Sequence, residues 1–266
     1  MAFLLVAPQA SLGRLAMHPP GSSHPANDLL YGTLGSRPVP TEEIGVAVGA
    51  AVCLAASPYL ARLSLSVPDR DEPSWLRGRP ASPRRLAASA ITAAALGALA
   101  GAAAGWSALL PALVALALGT TPLVLIDFEH HRLPDRLIRP TAVAGAVLLV
   151  LAALIRHDWA QLLRAAEGAA AVFAVLFLLM FISPRSFGFG DVKLGAILGG
   201  YLGWFGWLYV FYGIFAGFLL GSVLSIALIA TRRATLKTAI AFGPMLIVGA
   251  LLVLALHLAP SLVTSS

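Results

Sequence analysis

The sequence predicts an all-α protein that crosses a membrane about eight times. Of its 266 residues, 59% are hydrophobic and only 11% are charged, whereas soluble domains carry about 25% charged residues. The apolar residues also gather in eight runs that approach the roughly 20 residues a helix needs to cross a bilayer. This composition excludes an ordinary soluble enzyme and a disordered protein, and the single cysteine, Cys53, excludes a disulfide scaffold.

The order of the predicted elements follows from these runs. Residues 1–43 are rich in Pro, Gly, Ser and His and predict a flexible tail, and residues 44–266 predict one membrane domain. Each span must be helical, because a backbone surrounded by lipid can satisfy its polar groups only within its own segment. The predicted spans lie near residues 44–61, 86–106, 109–126, 138–155, 165–182, 194–208, 209–230 and 239–259.

The basic residues predict the orientation, because Lys and Arg collect in cytoplasmic loops. If the loop 62–85 is cytoplasmic and eight spans alternate, 14 of the 18 Lys and Arg residues lie inside and 4 outside. Merging the sixth and seventh spans lowers this split to 11 against 7. Eight spans with both termini outside are therefore predicted. The net charge of +6 is explained by membrane topology, so the bilayer and not nucleic acid is the expected partner.

Two of the few acidic residues directly adjoin apolar sequence. Asp127 ends the third predicted span, and Asp191 begins the sixth. Ionisable groups at membrane depth cost about 2.5–3.5 kcal/mol on insertion scales and are functional candidates by default. Two close carboxylates in such a site share one proton and titrate as a unit. The charged member can then accept a proton from water while the neutral member donates a hydrogen bond to a scissile carbonyl.

Three short segments contain recognisable motifs. Residues 126–137, IDFEHHRLPDRL, join an aspartate to a Leu-Pro-Asp triplet, residues 188–194, GFGDVKL, contain a GxGD motif, and residues 242–244 are Phe-Gly-Pro. Together they resemble the motifs of the type IV prepilin peptidases, which are GxGD-type intramembrane aspartic proteases. The resemblance covers roughly residues 44–260 and implies that Asp127 and Asp191 are the catalytic aspartates.

The resemblance also implies a set of residues that shape the site around the two aspartates. These are Gly188, Gly190, Lys193, Leu133, Pro134, Asp135, Phe242, Gly243 and Pro244.

Ordinary structural roles compete with several of these assignments. Asp135 is favoured as a helix cap, and Lys193 as a side chain that reaches the membrane interface. Gly243-Pro244 also suits the start of a helix. The alternative for Asp127 is an ion pair with Arg132 or Lys193, and for Asp191 it is a helix cap.

No metal site is expected from the adjacent residues Glu129, His130 and His131. Three consecutive side chains cannot all face one ion on a regular helix, and no fourth ligand is evident. These residues are predicted to belong to a polar loop. Cys53 is predicted to be a small buried apolar residue.

The resemblance implies an aspartic endopeptidase of the bacterial plasma membrane. Such an enzyme removes basic leader peptides from prepilin or pseudopilin precursors at the cytoplasmic face and needs no cofactor. Larger members also methylate the new N-terminus and carry paired cysteines between the first two spans, whereas the loop 62–85 has no cysteine. The resemblance to the peptidase motifs therefore does not extend to methylation.

Two other functions are compatible with the same residues. One is another GxGD-type protease, such as a preflagellin peptidase. The other is a transporter that uses Asp127 and Asp191 as a proton or cation relay, although no two-fold repeat of the kind found in many transporters is evident. The substrate and the oligomeric state stay open at this point.

Overall fold

The computed structural model describes residues 41–66, 80–182, 188–232 and 242–256. Within these ranges the chain forms eight α-helices and no β-strand. The helices are α1 (Thr41–Ser66), α2 (Pro83–Ala104), α3 (Leu110–His130), α4 (Asp135–Arg156), α5 (Trp159–Ile182), α6 (Phe189–Phe205), α7 (Trp207–Ala230) and α8 (Gly243–Ala255). The all-α, polytopic membrane architecture is confirmed.

Parts of the sequence-based prediction lie outside the described residues. They are the predicted tail up to residue 40, the end of the eighth predicted span, and the topology residues Arg14, Arg37, Arg70, Arg77, Arg79, Arg185, Arg233 and Lys237.

Six of the described helices are long and apolar enough to cross a membrane, namely α1 to α5 and α7. The other two are shorter than the prediction of eight full spans requires. Helix α6 has 17 residues and α8 has 13, so at 1.5 Å per residue they extend about 25 and 20 Å. A hydrocarbon core is about 30 Å thick.

Helix α3 is the central element of the described bundle. Within its apolar window 78% of the residues are buried, against 17–39% in the other five long helices. It packs against α1, α2, α4 and α8. The closest helix pair is α1 with α2, where Gly49 and Gly97 each face the other's backbone carbonyl with no room for a side chain. Such small-residue contacts are a common means of helix association in membranes.

The ends of α3 and α6 have identifiable backbone causes. Helix α3 ends because His131 adopts a left-handed conformation (φ 50°), and its N–H donates to the carbonyl of Asp127 at 2.9 Å. Helix α6 ends at Gly206, whose φ of 147° strongly favours glycine. The sequence predicts the boundary between the sixth and seventh spans between Leu208 and Tyr209. The observed boundary at Gly206 differs because a continuous apolar run does not show where the backbone leaves the helix.

The two ends of the bundle differ in composition. At one end α3 finishes and α4, α6 and α8 begin, and we call this the motif end. At the opposite end the short connections α2–α3, α4–α5 and α6–α7 carry the exposed side chains of Trp106, Trp159 and Trp207. We call this the tryptophan end, because Trp collects at membrane–water interfaces.

Candidate active site

The motif end brings together all three segments that the sequence singled out. Asp127 lies in the last turn of α3, Asp135 opens α4, Asp191 lies in the first turn of α6, and Gly243 opens α8. These residues are up to 116 positions apart in the sequence. Their convergence results from the packing of α3 against α4 and α8 and of α6 against the same two helices.

Asp127 is the most enclosed acidic side chain of this group. Only 4% of the residue is exposed, and its Oδ2 is buried without a hydrogen-bond partner among the described residues. The backbone amide of Gly243 faces the same carboxyl group. Asp127 forms no ion pair with Arg132 or Lys193, both of which lie in the described part. A buried acceptor without a donor costs about 1–3 kcal/mol, which makes Asp127 a candidate functional residue.

Asp191 lies close enough to Asp127 for their charges to interact. It is half-buried, and its Oδ2 accepts a hydrogen bond from the backbone N–H of Gly188 at 3.2 Å. Gly188 is the N-cap of α6 and Asp191 is its third helical residue. The bond from the Gly188 amide to the Asp191 carboxylate is therefore one half of a capping box. The capping role considered from the sequence is therefore present, and it fixes the carboxylate beside Asp127.

Gly190 allows the GxGD and Leu-Pro-Asp segments to touch. A Cβ atom on Gly190 would lie 2.8 Å from the Cβ of Leu133 and 3.3 Å from its carbonyl oxygen. Any larger residue would push the two segments apart. Pro134 is the N-cap of α4, and its carbonyl accepts hydrogen bonds from the amides of Leu137 and Ile138.

An ion pair between Lys193 and Asp135 connects the same two segments. The Nζ of Lys193 lies 2.7 Å from each carboxylate oxygen of Asp135 and 4.5 Å from the ring centre of Phe189. Sequence reasoning favoured a cap for Asp135 and an interface-reaching side chain for Lys193. Asp135 does lie in the first turn of α4, but its described partners are Lys193 and, at 3.7 Å, Arg139. The side chain of Lys193 is 26% exposed, and it pairs with a counter-charge that lies 58 residues away in sequence.

The Phe-Gly-Pro element forms the wall opposite these segments. A Cβ on Gly243 would lie 3.0 Å from the Oδ2 of Asp127 and 3.2 Å from the Cδ1 of Leu133. Phe242 packs on Phe218 of α7, with ring centres 4.9 Å apart. Pro244 occupies the first turn of α8, as the helix-start interpretation expected.

Glu129 and His130 are helical and not loop residues, which corrects the sequence-based interpretation, whereas His131 is the C-cap of α3. Glu129 forms an ion pair with the Nη1 of Arg85, which is 9% exposed. The Nε and Nη2 of Arg85 also donate to the Oγ of Ser64 at 3.1 and 2.9 Å. Sequence reasoning missed this cluster, because Arg85 is one arginine among many in a basic segment and only its position in the fold distinguishes it.

Metal-binding residues do not cluster in the described ranges. No group of three His, Cys, Asp or Glu side chains there is arranged to hold a metal ion.

Comparison with known proteins connects this geometry to a family. Residues 113–228 match the model of the type IV leader peptidase family. Among curated proteins, a prepilin leader peptidase/N-methyltransferase of Pseudomonas aeruginosa is 32% identical over 136 residues, which cover 51% of this chain and 46% of the relative. The protein of the same name from Aeromonas hydrophila is 32% identical over 184 residues, covering 65% of this chain and 60% of the relative.

The matched part spans about half the length of most of these relatives. The Legionella pneumophila protein of that name is 31% identical over 131 residues, which cover 49% of this chain and 44% of the relative. No solved structure matches the chain. The family match includes both Asp127 and Asp191. The chain is thus similar to the type IV leader peptidase family over residues 113–228, which contain two of the three motifs.

Proposed function

We propose that this protein is an intramembrane aspartic endopeptidase that removes the leader peptide from prepilin or pseudopilin precursors. The observation that carries the proposal is the buried Oδ2 of Asp127, which has no hydrogen-bond partner in the described ranges, lies close to Gly243 and belongs to a carboxyl group whose charge interacts with that of Asp191. Hydrolysis of a peptide bond by two carboxylates needs one of them to activate a water molecule and the other to polarise the carbonyl. Asp127 and Asp191 are proposed to divide these tasks.

The surroundings of the two aspartates support this division of roles. Asp127 is enclosed by α3 and α8, whereas Asp191 is held at the start of α6 by the amide of Gly188. Close carboxylates in different environments hold a shared proton more readily than two equally solvated ones do. The pair exchanges its proton as a unit, so no single residue is assigned as the permanent acid.

The position of the site fits a substrate that is half in the membrane. A precursor with a basic leader and an apolar helix would hold its leader in the cytoplasm and its helix in the bilayer, so the scissile bond would lie at the interface. We propose that the motif end faces the cytoplasm and that the membrane is the bacterial plasma membrane. Among the described residues, 8 of the 10 Lys and Arg side chains lie at the motif end, which supports this orientation.

The direct test is co-expression with a pilin-like precursor, followed by mass measurement of the precursor. The wild-type protein is expected to remove the leader, and Asp127→Asn and Asp191→Asn are each expected to leave the precursor intact. Asp158→Asn is the matched control, because Asp158 lies near the tryptophan end and pairs with Arg156. Complete processing by either site variant would contradict the proposal.

The same mass spectrum tests methylation separately. A product that is heavier by one methylene than the cleaved precursor carries an N-methyl group. The loop 62–85 contains no cysteine, so we expect a cleaved product with an unmethylated N-terminus. A methylated product formed by this protein alone would contradict that expectation and leave the proposed peptidase activity intact.

A further inference from the structure

We infer that Arg85 is a positioning residue, which sets the rotation of α3 through Glu129 and thereby aims Asp127 at Asp191. This inference rests on the proposed function, since it assigns the role of Arg85 by way of Asp127. Arg85 lies outside all three motifs and outside the matched residues 113–228.

The contacts of Arg85 connect three helices at the motif end. It lies in the first turn of α2, and it is 9% exposed although it carries a full charge. Its guanidinium pairs with Glu129 in α3 and donates twice to the Oγ of Ser64 in α1. The hydroxyl of Ser64 in turn donates to the carbonyl of Ala61 at 2.7 Å. A charge buried at this depth is stable only when it is paired and hydrogen-bonded, and Arg85 meets both conditions.

The position of Glu129 explains how this cluster reaches the site. Residues two apart on an α-helix point to nearly opposite sides, because each residue turns the helix by about 100°. Glu129 is therefore fixed to Arg85 on one side of α3, while Asp127 points to Gly243 and Asp191 on the other. An anchor on the far side of a helix resists rotation about its axis, which is the motion that would displace Asp127 sideways.

The end of α3 needs such an anchor. Asp127 is four residues before His131, at which the chain leaves the helix in a left-handed conformation. Helix termini fray because their last carbonyls have no partner within the helix. The ion pair of Arg85 with Glu129 lies within this last turn and holds it against α1 and α2. The guanidinium also connects the first turn of α2 with Ser64, which lies in the last turn of α1.

The test measures cleavage kinetics of Arg85→Gln, Glu129→Gln and the double variant on a pilin-like precursor. A misaimed Asp127 weakens the chemical step but not substrate binding, so we expect kcat to fall about tenfold or more with KM unchanged. Because both single changes break the same pair, the double variant is expected to be no slower than Arg85→Gln. Arg84→Gln is the matched control, since the neighbouring Arg84 is exposed and is expected to leave both constants unchanged.

Thermal unfolding in detergent separates positioning from simple loss of folded protein. Glu129→Gln keeps a side-chain oxygen acceptor and leaves both hydrogen bonds of Arg85 to Ser64 in place, so it is expected to fold even if Arg85→Gln does not. A wild-type kcat for Glu129→Gln would overturn the inference, as would a rise in KM alone or a loss of rate that only follows the loss of folded protein. These outcomes count against Arg85 only if Asp127→Asn is inactive. Full activity of Asp127→Asn would instead refute the proposed function.

Discussion

Gly243 is the residue that leaves room for the carboxylate of Asp127. A Cβ at this position would come within 3.0 Å of Oδ2 and 3.2 Å of the Cδ1 of Leu133. Both contacts are closer than ordinary van der Waals separations of about 3.5–4.0 Å. The carboxylate has little room to move away, because only 4% of Asp127 is exposed. The Phe-Gly-Pro element therefore needs a glycine at this position, because a side chain would collide with the Asp127 carboxylate.

Replacing Gly243 by alanine tests this requirement. Gly243→Ala is expected to displace the Asp127 carboxylate by a few tenths of an ångström and to lower kcat about tenfold, since a misplacement of about 1 Å can cost 100-fold. Cleavage of a pilin-like precursor at saturating concentration measures the effect.

Gly200→Ala serves as the control for a helical glycine in the same bundle. A Cβ there would lie 3.6 Å from its nearest neighbours, the Ala165 carbonyl oxygen and the Ala169 Cβ, so this variant is expected to retain its activity. Equal activity of the two alanine variants would show that Gly243 is not required for space.

Helices α4 and α6 are joined at their first turns by one ion pair. Lys193 binds both oxygens of Asp135, and the nearby Gly190 allows α6 to approach Leu133. The side chains of Lys193 and Asp135 are 26% and 44% exposed, so solvent weakens the pair. Exposed pairs of this kind contribute about 0.2–1 kcal/mol. The pair is therefore expected to matter more for the alignment of Asp191 than for the stability of the protein.

A double-mutant cycle of Lys193→Met and Asp135→Asn measures this alignment. Each single variant is expected to lower kcat while the unfolding temperature changes little, and the double variant is expected to lose no more than the worse single variant. Arg139→Gln is the control, because Arg139 is 77% exposed and lies 3.7 Å from Asp135. If the two single effects on kcat multiply in the double variant, the two residues act independently and the proposed alignment is wrong.

The sequence identified the segments of this contact but not the contact itself. Apolar runs predict where helices lie, and the Leu-Pro-Asp and GxGD motifs predict that Asp135 and Lys193 are near a site. A propensity or a charge at one position contains no information on a partner 58 residues away. For this reason the sequence favoured a cap for Asp135 and an interface position for Lys193, and the structure pairs them.

The molecule as a whole is polarised along the axis of its bundle. The exposed Trp106, Trp159 and Trp207 lie at one end, and most of the described basic residues lie at the other. The basic residues at the motif end are Arg62, Arg84, Arg85, Arg132, Arg136, Arg139, Lys193 and Arg232, and those toward the tryptophan end are Arg156 and Arg164. Under the positive-inside rule this asymmetry predicts a cytoplasmic motif end.

Labelling of single cysteines in intact cells tests this orientation. In a Cys53→Ala background, Trp106→Cys is expected to react with a membrane-impermeant maleimide added outside the cells. His130→Cys is expected to react only after the membrane is permeabilised. Both positions are suitable because Trp106 is 60% exposed and the His130 side chain is 53% exposed. The opposite pattern of labelling would place the two aspartates on the outer side and contradict the proposed cleavage at the cytoplasmic face.

The sequence by itself determined that this chain is a helical membrane protein, and it singled out Asp127 and Asp191 as candidate catalytic residues. Hydrophobic run length and charge scarcity are one-dimensional properties, and lipid permits few alternatives to a helix. Only the tertiary structure decided that Oδ2 of Asp127 is buried with no hydrogen-bond partner among the described residues, that Lys193 pairs with Asp135, and that Arg85 is buried against Glu129. These facts depend on which helix faces meet, and that is set by packing between residues far apart in the chain.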